Sequence, residues 1–141
     1  MVNHRDAHDR PLYAARMNRV PESAGAARQL VSRALQAWEL MELEDTAWLV
    51  ITELVANAVM HAKRSTLRVS VTRMDARTVR LVVLDRSIRM PKPRDAGPDD
   101  VSGRGLALVA LMCDGHWGTE RMRDGKRVWA DVLMPEENPG G

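Results

Sequence analysis

The sequence predicts an α+β fold in which helices cover one face of a mixed, mostly antiparallel sheet, forming a two-layer α/β sandwich. Two segments carry apolar residues at helical spacing, one ending near Trp38 and one running from about Asp45 to His61. Two pairs of strand-like segments, each joined by a short turn, are typical of β-hairpins. Because hairpins and helices are grouped rather than alternating one for one, the pattern does not favour a doubly wound parallel sheet.

The first half of the chain is predicted to be mainly helical. Residues 1–11 carry charges and histidines without periodicity, so we expect a flexible N-terminal arm there, followed by a weak strand at about 13–20. After Pro21, apolar residues recur at the spacing of a helix face: Ala27, Leu30, Val31, Ala34 and Trp38. This pattern breaks at about 41–45, and the second helix follows it.

The second half is predicted to be two hairpins separated by a long loop and a helix. Leu67, Val69 and Val71 alternate with polar residues, and the strand at 79–85 follows a turn at 75–77. No element is visible between about 86 and 102, and a loop of that length is usually functional or disordered. An apolar helix is expected at 106–112, a last hairpin at 117–134 and a disordered tail at 135–141, which gives a domain at 12–134.

Composition excludes several functional classes. The net charge is only +2 and the basic residues are scattered among acidic ones, so we expect no direct contact with nucleic acid. No apolar run reaches the ~18 residues of a membrane span, and a cytoplasmic protein is expected. Cys113 is the only cysteine, which rules out an internal disulfide, and its place after an apolar run predicts a buried thiol.

The second predicted helix carries a polar stripe. Glu53, Asn57 and His61 are spaced four apart, so they share one face of the helix. The amide oxygen of Asn57 is a hard ligand suited to Mg²⁺, and the carboxylate of Glu53 can accept a proton from an attacking hydroxyl or water. A solvated helix face is the simpler explanation of such a stripe taken alone.

Two further features follow in an order that favours nucleotide binding. Asp85 ends an apolar strand, where its carboxylate can accept a hydrogen bond from an exocyclic amine such as adenine N6. Gly103 and Gly105 let backbone N–H groups approach phosphates at a helix start, and Arg104 can pair with a terminal phosphate. Each feature taken singly is more often a turn or a cap, and it is their combination that predicts a nucleotide site.

The combined motifs resemble those of the GHKL ATPases (Bergerat fold), and in particular the small stand-alone anti-sigma-factor serine/threonine kinases. The segment 53–62 (ELVANAVMHA) looks like the N box, and 83–87 (VLDRS) is similar to the adenine-binding box. The segment 102–109 (SGRGLALV) is similar to the second glycine box. The segments 114–118 and 125–130 resemble the strands that close the domain.

The resemblance implies an ATP and Mg²⁺ site in a Bergerat fold, with Asn57 as the metal ligand and Asp85 as the residue that holds the adenine amine. Its cofactor-binding residues would be Asn57, His61, Asp85, Ser87, Gly103, Arg104, Gly105 and Leu106. It also implies that Glu53 is the catalytic base that activates a serine or threonine hydroxyl on a STAS-type anti-anti-sigma factor. The protein would otherwise hold a sigma factor inactive, usually as a homodimer.

Two departures from the family pattern favour an alternative, a catalytically weak or nucleotide-free anti-sigma or adaptor module of the same fold. The residues after the adenine box, 88–90, are bulkier than the family pattern. Arg127 stands where the family commonly has a threonine that helps to hold the adenine site, and a guanidinium cannot accept a hydrogen bond.

Overall fold

The computed structural model describes residues 2–61, 66–86, 102–123 and 125–135. Within these residues the strands are β1 (Val2–Arg5), β2 (Pro11–Asn18), β3 (Thr66–Arg73), β4 (Thr78–Arg86), β5 (Trp117–Met122) and β6 (Gly125–Leu133). The helices are α1 (Ser23–Ala37), α2 (Glu44–His61) and α3 (Ser102–Met112), with a short 3-10 helix at Met41–Leu43 before α2.

The strands form one sheet in the order β1-β2-β3-β4-β6-β5, and every neighbouring pair in it is antiparallel. Helices α1 and α2 pack against this sheet and against each other, and α3 packs against α2. The predicted two-layer α/β sandwich is therefore confirmed.

The sheet has two faces of different character because side chains alternate along each strand. The helix face, the side that packs against the helices, carries Val69, Val83 and Val128, which are cross-strand neighbours and almost fully buried. The opposite side, which we call the outer face, carries the next row of neighbours, Ser70, Val82 and Trp129. The alternation predicted for β3 thus divides the sheet as expected.

Helix α2 supplies much of the core between the layers. Leu54, Val55 and Ala58 are buried in it, as the apolar positions beside the polar stripe predict. Within the described part of the chain, neither α2 nor another helix is long and apolar enough to cross a membrane. Cys113, just after α3, is 2% exposed, which confirms its predicted burial.

The structure differs from the sequence-based assignment mainly at the chain start. We predicted no regular element within residues 1–11, yet Val2–Arg5 form β1 and pair with β2, which itself begins at Pro11. Strand pairing stabilises this segment although its sequence lacks an apolar alternation. Helix α3 begins at Ser102, earlier than predicted, while residues 87–101 of the loop predicted at about 86–102 and most of the tail lie outside the described residues.

Candidate functional site

The polar stripe runs along α2, which packs against the sheet and against α3. Glu53, Asn57 and His61 occupy successive turns, and α2 contacts both β4 and α3. Glu53 is half-buried and Asn57 is only 4% exposed, so the stripe is not a solvated helix face. His61 is the last residue of α2, and its side chain lies outside what the structure describes.

Asn57 contains a buried acceptor without a partner. Its Oδ1 atom is shielded from solvent and receives no hydrogen bond from the residues that the structure describes. An unsatisfied buried acceptor costs roughly 1–3 kcal/mol, so buried groups in native proteins are nearly always paired. An amide oxygen of this kind fits a hard cation such as Mg²⁺, which supports the predicted role of Asn57 as a metal ligand.

Asp85 lies near the end of β4 on the helix face of the sheet, beside Leu67 of β3 and Lys126 of β6. It is 9% exposed, and its Oδ1 accepts a hydrogen bond of 2.8 Å from Nη1 of Arg19. Arg19 follows the end of β2, and its side chain is fully buried. The structure thus adds to the site an arginine that the sequence analysis did not identify.

Arg19 is only partly satisfied by this ion pair. Its Nε and Nη2 atoms are both buried and have no hydrogen-bond partner within the described part of the chain. The sequence offered no signal for Arg19, because it follows a weak strand and its partner lies 66 positions further along the chain.

Arg127 does not reach the site, which corrects the interpretation drawn from its sequence position. Its cross-strand neighbour is Leu84, so Arg127 lies on the outer face, and its Nη1 is 3.4 Å from Glu120 Oε1. The residue of β6 that lies beside Asp85 is Lys126. The argument that Arg127 weakens ATP binding at Asp85 therefore fails.

The glycine segment lies in the first turn of α3, where Gly103 and Gly105 follow Ser102. The first N–H groups of a helix have no partner within the helix, which is the arrangement that binds phosphates. Leu106 is half-buried and packs against the core. The side chain of Arg104 and the whole of Ser87 lie outside the described residues, so their predicted contacts stay predictions.

The sandwich fold and the comparison with known families together define an ATP-binding domain. The family model of the histidine kinase-like ATPase domain matches residues 17–131, which is most of the chain and includes Arg19, Glu53, Asn57 and Asp85. The chain belongs to this family of GHKL-type ATPase domains. Comparison with curated proteins gives no match.

Proposed function

We propose that this ATPase domain is an anti-sigma factor that acts as a protein serine/threonine kinase on a STAS-type anti-anti-sigma factor. The observation that carries the proposal is the buried, unpartnered Oδ1 of Asn57, one helical turn from Glu53. A metal ligand and a general base on one face of α2 are what phosphoryl transfer requires. The sigma factor, the STAS protein and a second copy of the chain would be the cytoplasmic partners.

Bound Mg-ATP would be held by the chain's own residues at both ends. Asn57 Oδ1 would ligate Mg²⁺, whose other ligands are commonly phosphate oxygens and water. The backbone N–H groups of the first turn of α3 would contact the phosphates, and Asp85 would accept a hydrogen bond from the adenine amine. This arrangement uses the buried acceptor of Asn57 and the acceptor capacity of Asp85.

Glu53 would supply the base for the transfer step. Its carboxylate would take the proton of a serine or threonine hydroxyl as that oxygen bonds to the γ-phosphorus. The bond from the γ-phosphorus to the bridging oxygen of ADP breaks in the same step, so ADP leaves with both electrons of that bond. The products are the phosphorylated STAS protein and ADP.

Titration calorimetry tests the nucleotide site. The wild-type protein should bind Mg-ATP, and Asn57→Leu should lower the affinity at least about tenfold, because the leucine side chain is branched like that of asparagine but has no oxygen to ligate the metal. The variant removes an unsatisfied buried acceptor but places a larger side chain in the core, so its free energy of unfolding should fall by no more than about 1–3 kcal/mol. Ala56→Leu, at the exposed neighbouring position, is the matched control and should bind like the wild type.

Transfer of labelled γ-phosphate to a panel of STAS proteins tests the kinase activity. Glu53→Gln should bind ATP with unchanged affinity but transfer phosphate about 10²- to 10⁴-fold more slowly, because only the base is removed. Asp45→Asn removes an exposed carboxylate at the start of the same helix and should keep the wild-type rate. Wild-type transfer by Glu53→Gln would exclude Glu53 as the base.

The alternative, a nucleotide-free anti-sigma or adaptor module, is favoured by the ion pair between Arg19 and Asp85, which already occupies one oxygen of the carboxylate. It predicts that the wild-type protein binds a sigma factor but shows no heat of Mg-ATP binding up to millimolar nucleotide. Sedimentation of the protein with and without ATP tests the predicted homodimer in the same samples.

A further inference from the structure

Arg19 is buried more completely than its interactions explain. Its side chain has no exposed surface, and only its Nη1 donates to Asp85. Removing a charge from water is costly unless hydrogen bonds replace its hydration. An arginine placed here solely to hold β2 near β4 would be expected to use more of its five N–H donors.

The unpartnered atoms of Arg19 lie on the same guanidinium as the bond to Asp85. Nε and Nη2 are buried, and no acceptor among residues 2–61, 66–86, 102–123 and 125–135 bonds to them. Because the guanidinium is planar and rigid, these donors stay at a fixed position relative to the carboxylate that Nη1 contacts. The pair therefore presents an acceptor, the Asp85 carboxylate, close to unused donors.

This combination is complementary to one kind of nucleobase edge. A carboxylate offers about four lone-pair positions, so Asp85 can accept an amine while it keeps its bond to Arg19. Adenine carries its N6 amine, a donor, next to ring nitrogens that only accept. A base with an oxygen at position 6 would instead place an acceptor against the carboxylate.

We propose that Arg19 is a second base-reading residue, which donates a hydrogen bond to an adenine ring nitrogen beside the amine that Asp85 accepts. The inference rests on the proposed binding of ATP at Asp85 and adds to it a residue outside the motifs of the sequence analysis. Arg19 thereby makes the site selective for a base that combines an amine donor with a neighbouring ring acceptor.

Binding of ATP analogues measured by calorimetry tests the inference directly. In 1-deaza-ATP and 7-deaza-ATP a C–H replaces N1 or N7, while the N6 amine stays in place. The wild-type protein should bind one of the two at least about tenfold more weakly than ATP, because a hydrogen bond from a charged donor is lost. Arg19→Met should bind ATP weakly and lose the discrimination between ATP and that analogue.

A purely structural role for Arg19 predicts a different result. Damage to the fold would lower the affinity for ATP and for both analogues by the same factor. Arg19→Lys serves as the second variant, since it keeps a positive charge for Asp85 but lacks the planar fork. It should fold, and its discrimination between ATP and the deaza analogue should fall several-fold below that of the wild type. Unchanged discrimination in Arg19→Lys and Arg19→Met would overturn the inference.

The wild-type measurements separate this inference from the proposed function. If the wild-type protein binds ATP and both deaza analogues with equal affinity, the nucleotide site stands and the role of Arg19 is wrong. If the wild-type protein binds no ATP, the nucleotide site itself is wrong, and the base-reading role of Arg19 is wrong with it.

Discussion

Two arginine–aspartate pairs of nearly equal length lie on opposite faces of the sheet. On the outer face, Arg80 donates from two nitrogens to both oxygens of Asp131, at 2.7 and 3.0 Å, and its guanidinium lies 4.2 Å from the Trp129 ring centroid. At the end of the helix face, Arg19 donates from Nη1 to Asp85 at 2.8 Å, while its Nε and Nη2 have no partner among the described residues.

The difference separates a pair in which both carboxylate oxygens accept hydrogen bonds from a pair whose arginine keeps buried, unpartnered donors. The Arg80–Asp131 pair is bidentate and stacked, and the hydrogen bond to Asp131 raises the pKa of the Arg80 guanidinium above its ordinary value. The Arg19 pair is more deeply buried but less satisfied, which lowers stability unless a ligand completes it. Unsatisfied buried groups at Arg19 and Asn57 therefore identify the candidate site better than the ion pair alone.

Replacing the aspartate of each pair in turn should give the largest difference in the free energy of unfolding. Asp85→Ala leaves the Arg19 charge buried and unpaired, so the free energy of unfolding should fall by about 3–5 kcal/mol. Asp131→Ala leaves Arg80 partly exposed to water, and the loss should be only about 1 kcal/mol. Urea denaturation of both variants measures this, and equal losses would contradict the assigned difference in burial.

Replacing the whole Arg19–Asp85 pair should separate stability from binding. The double variant Arg19→Met, Asp85→Leu should have a free energy of unfolding no more than about 1 kcal/mol below that of the wild type. Replacing a buried ion pair with apolar residues is often neutral or stabilising. The same variant should bind no ATP. Denaturation and calorimetry on one preparation check both statements, and a double variant as unstable as Asp85→Ala would show that the pair is structural.

On the outer face, the free energy of unfolding should depend on how closely residues pack against Trp129. A Cβ on Gly118 would lie 2.8–2.9 Å from the Trp129 indole, which Arg80 holds in place. Gly118→Ala should therefore lower the free energy of unfolding by about 1–3 kcal/mol.

Gly25 provides the matched control, since its added Cβ would meet only Arg28 Nη2 at 3.8 Å. Gly25→Ala, inside α1, should raise stability by about 0.5–1 kcal/mol. A loss at Gly25 as large as at Gly118 would rule out the indole contact as the cause.

The rate at which Cys113 is alkylated should show how closely the helix side of the sheet is packed. This measurement needs no substitution, so it leaves the stability of the protein unchanged. Burial, and then the charge of Asp131, raises the pKa of the Cys113 thiol from 9.0 to about 11. At pH 8 this leaves about a hundredfold less thiolate than an exposed cysteine has, so alkylation of the native protein should be at least that much slower than of the unfolded chain. Alkylation at the unfolded rate would show that the thiol is accessible.

Much of the fold could be predicted because its signals are local. The helical spacing before Trp38, the apolar positions of α2 and the alternation of β3 each place a segment in its element and orient it toward the core. The strand β1 was missed because it lacks apolar alternation and forms by pairing along β2. Arg127 was misplaced because its face depends on the register of β6 against β4, and a shift by one residue moves every side chain to the other face.

The sequence by itself determined the fold class and the order of most elements, and it predicted Glu53, Asn57 and Asp85 as site residues. These follow from residue type and short-range periodicity, which act within a few positions of the chain. The tertiary structure decided that Asn57 Oδ1 is buried without a partner among the described residues and that Arg19 meets Asp85 across 66 positions. Burial and long-range pairing depend on which segments pack together, so neither the unsatisfied groups nor the Arg19–Asp85 pair can be predicted from the sequence alone.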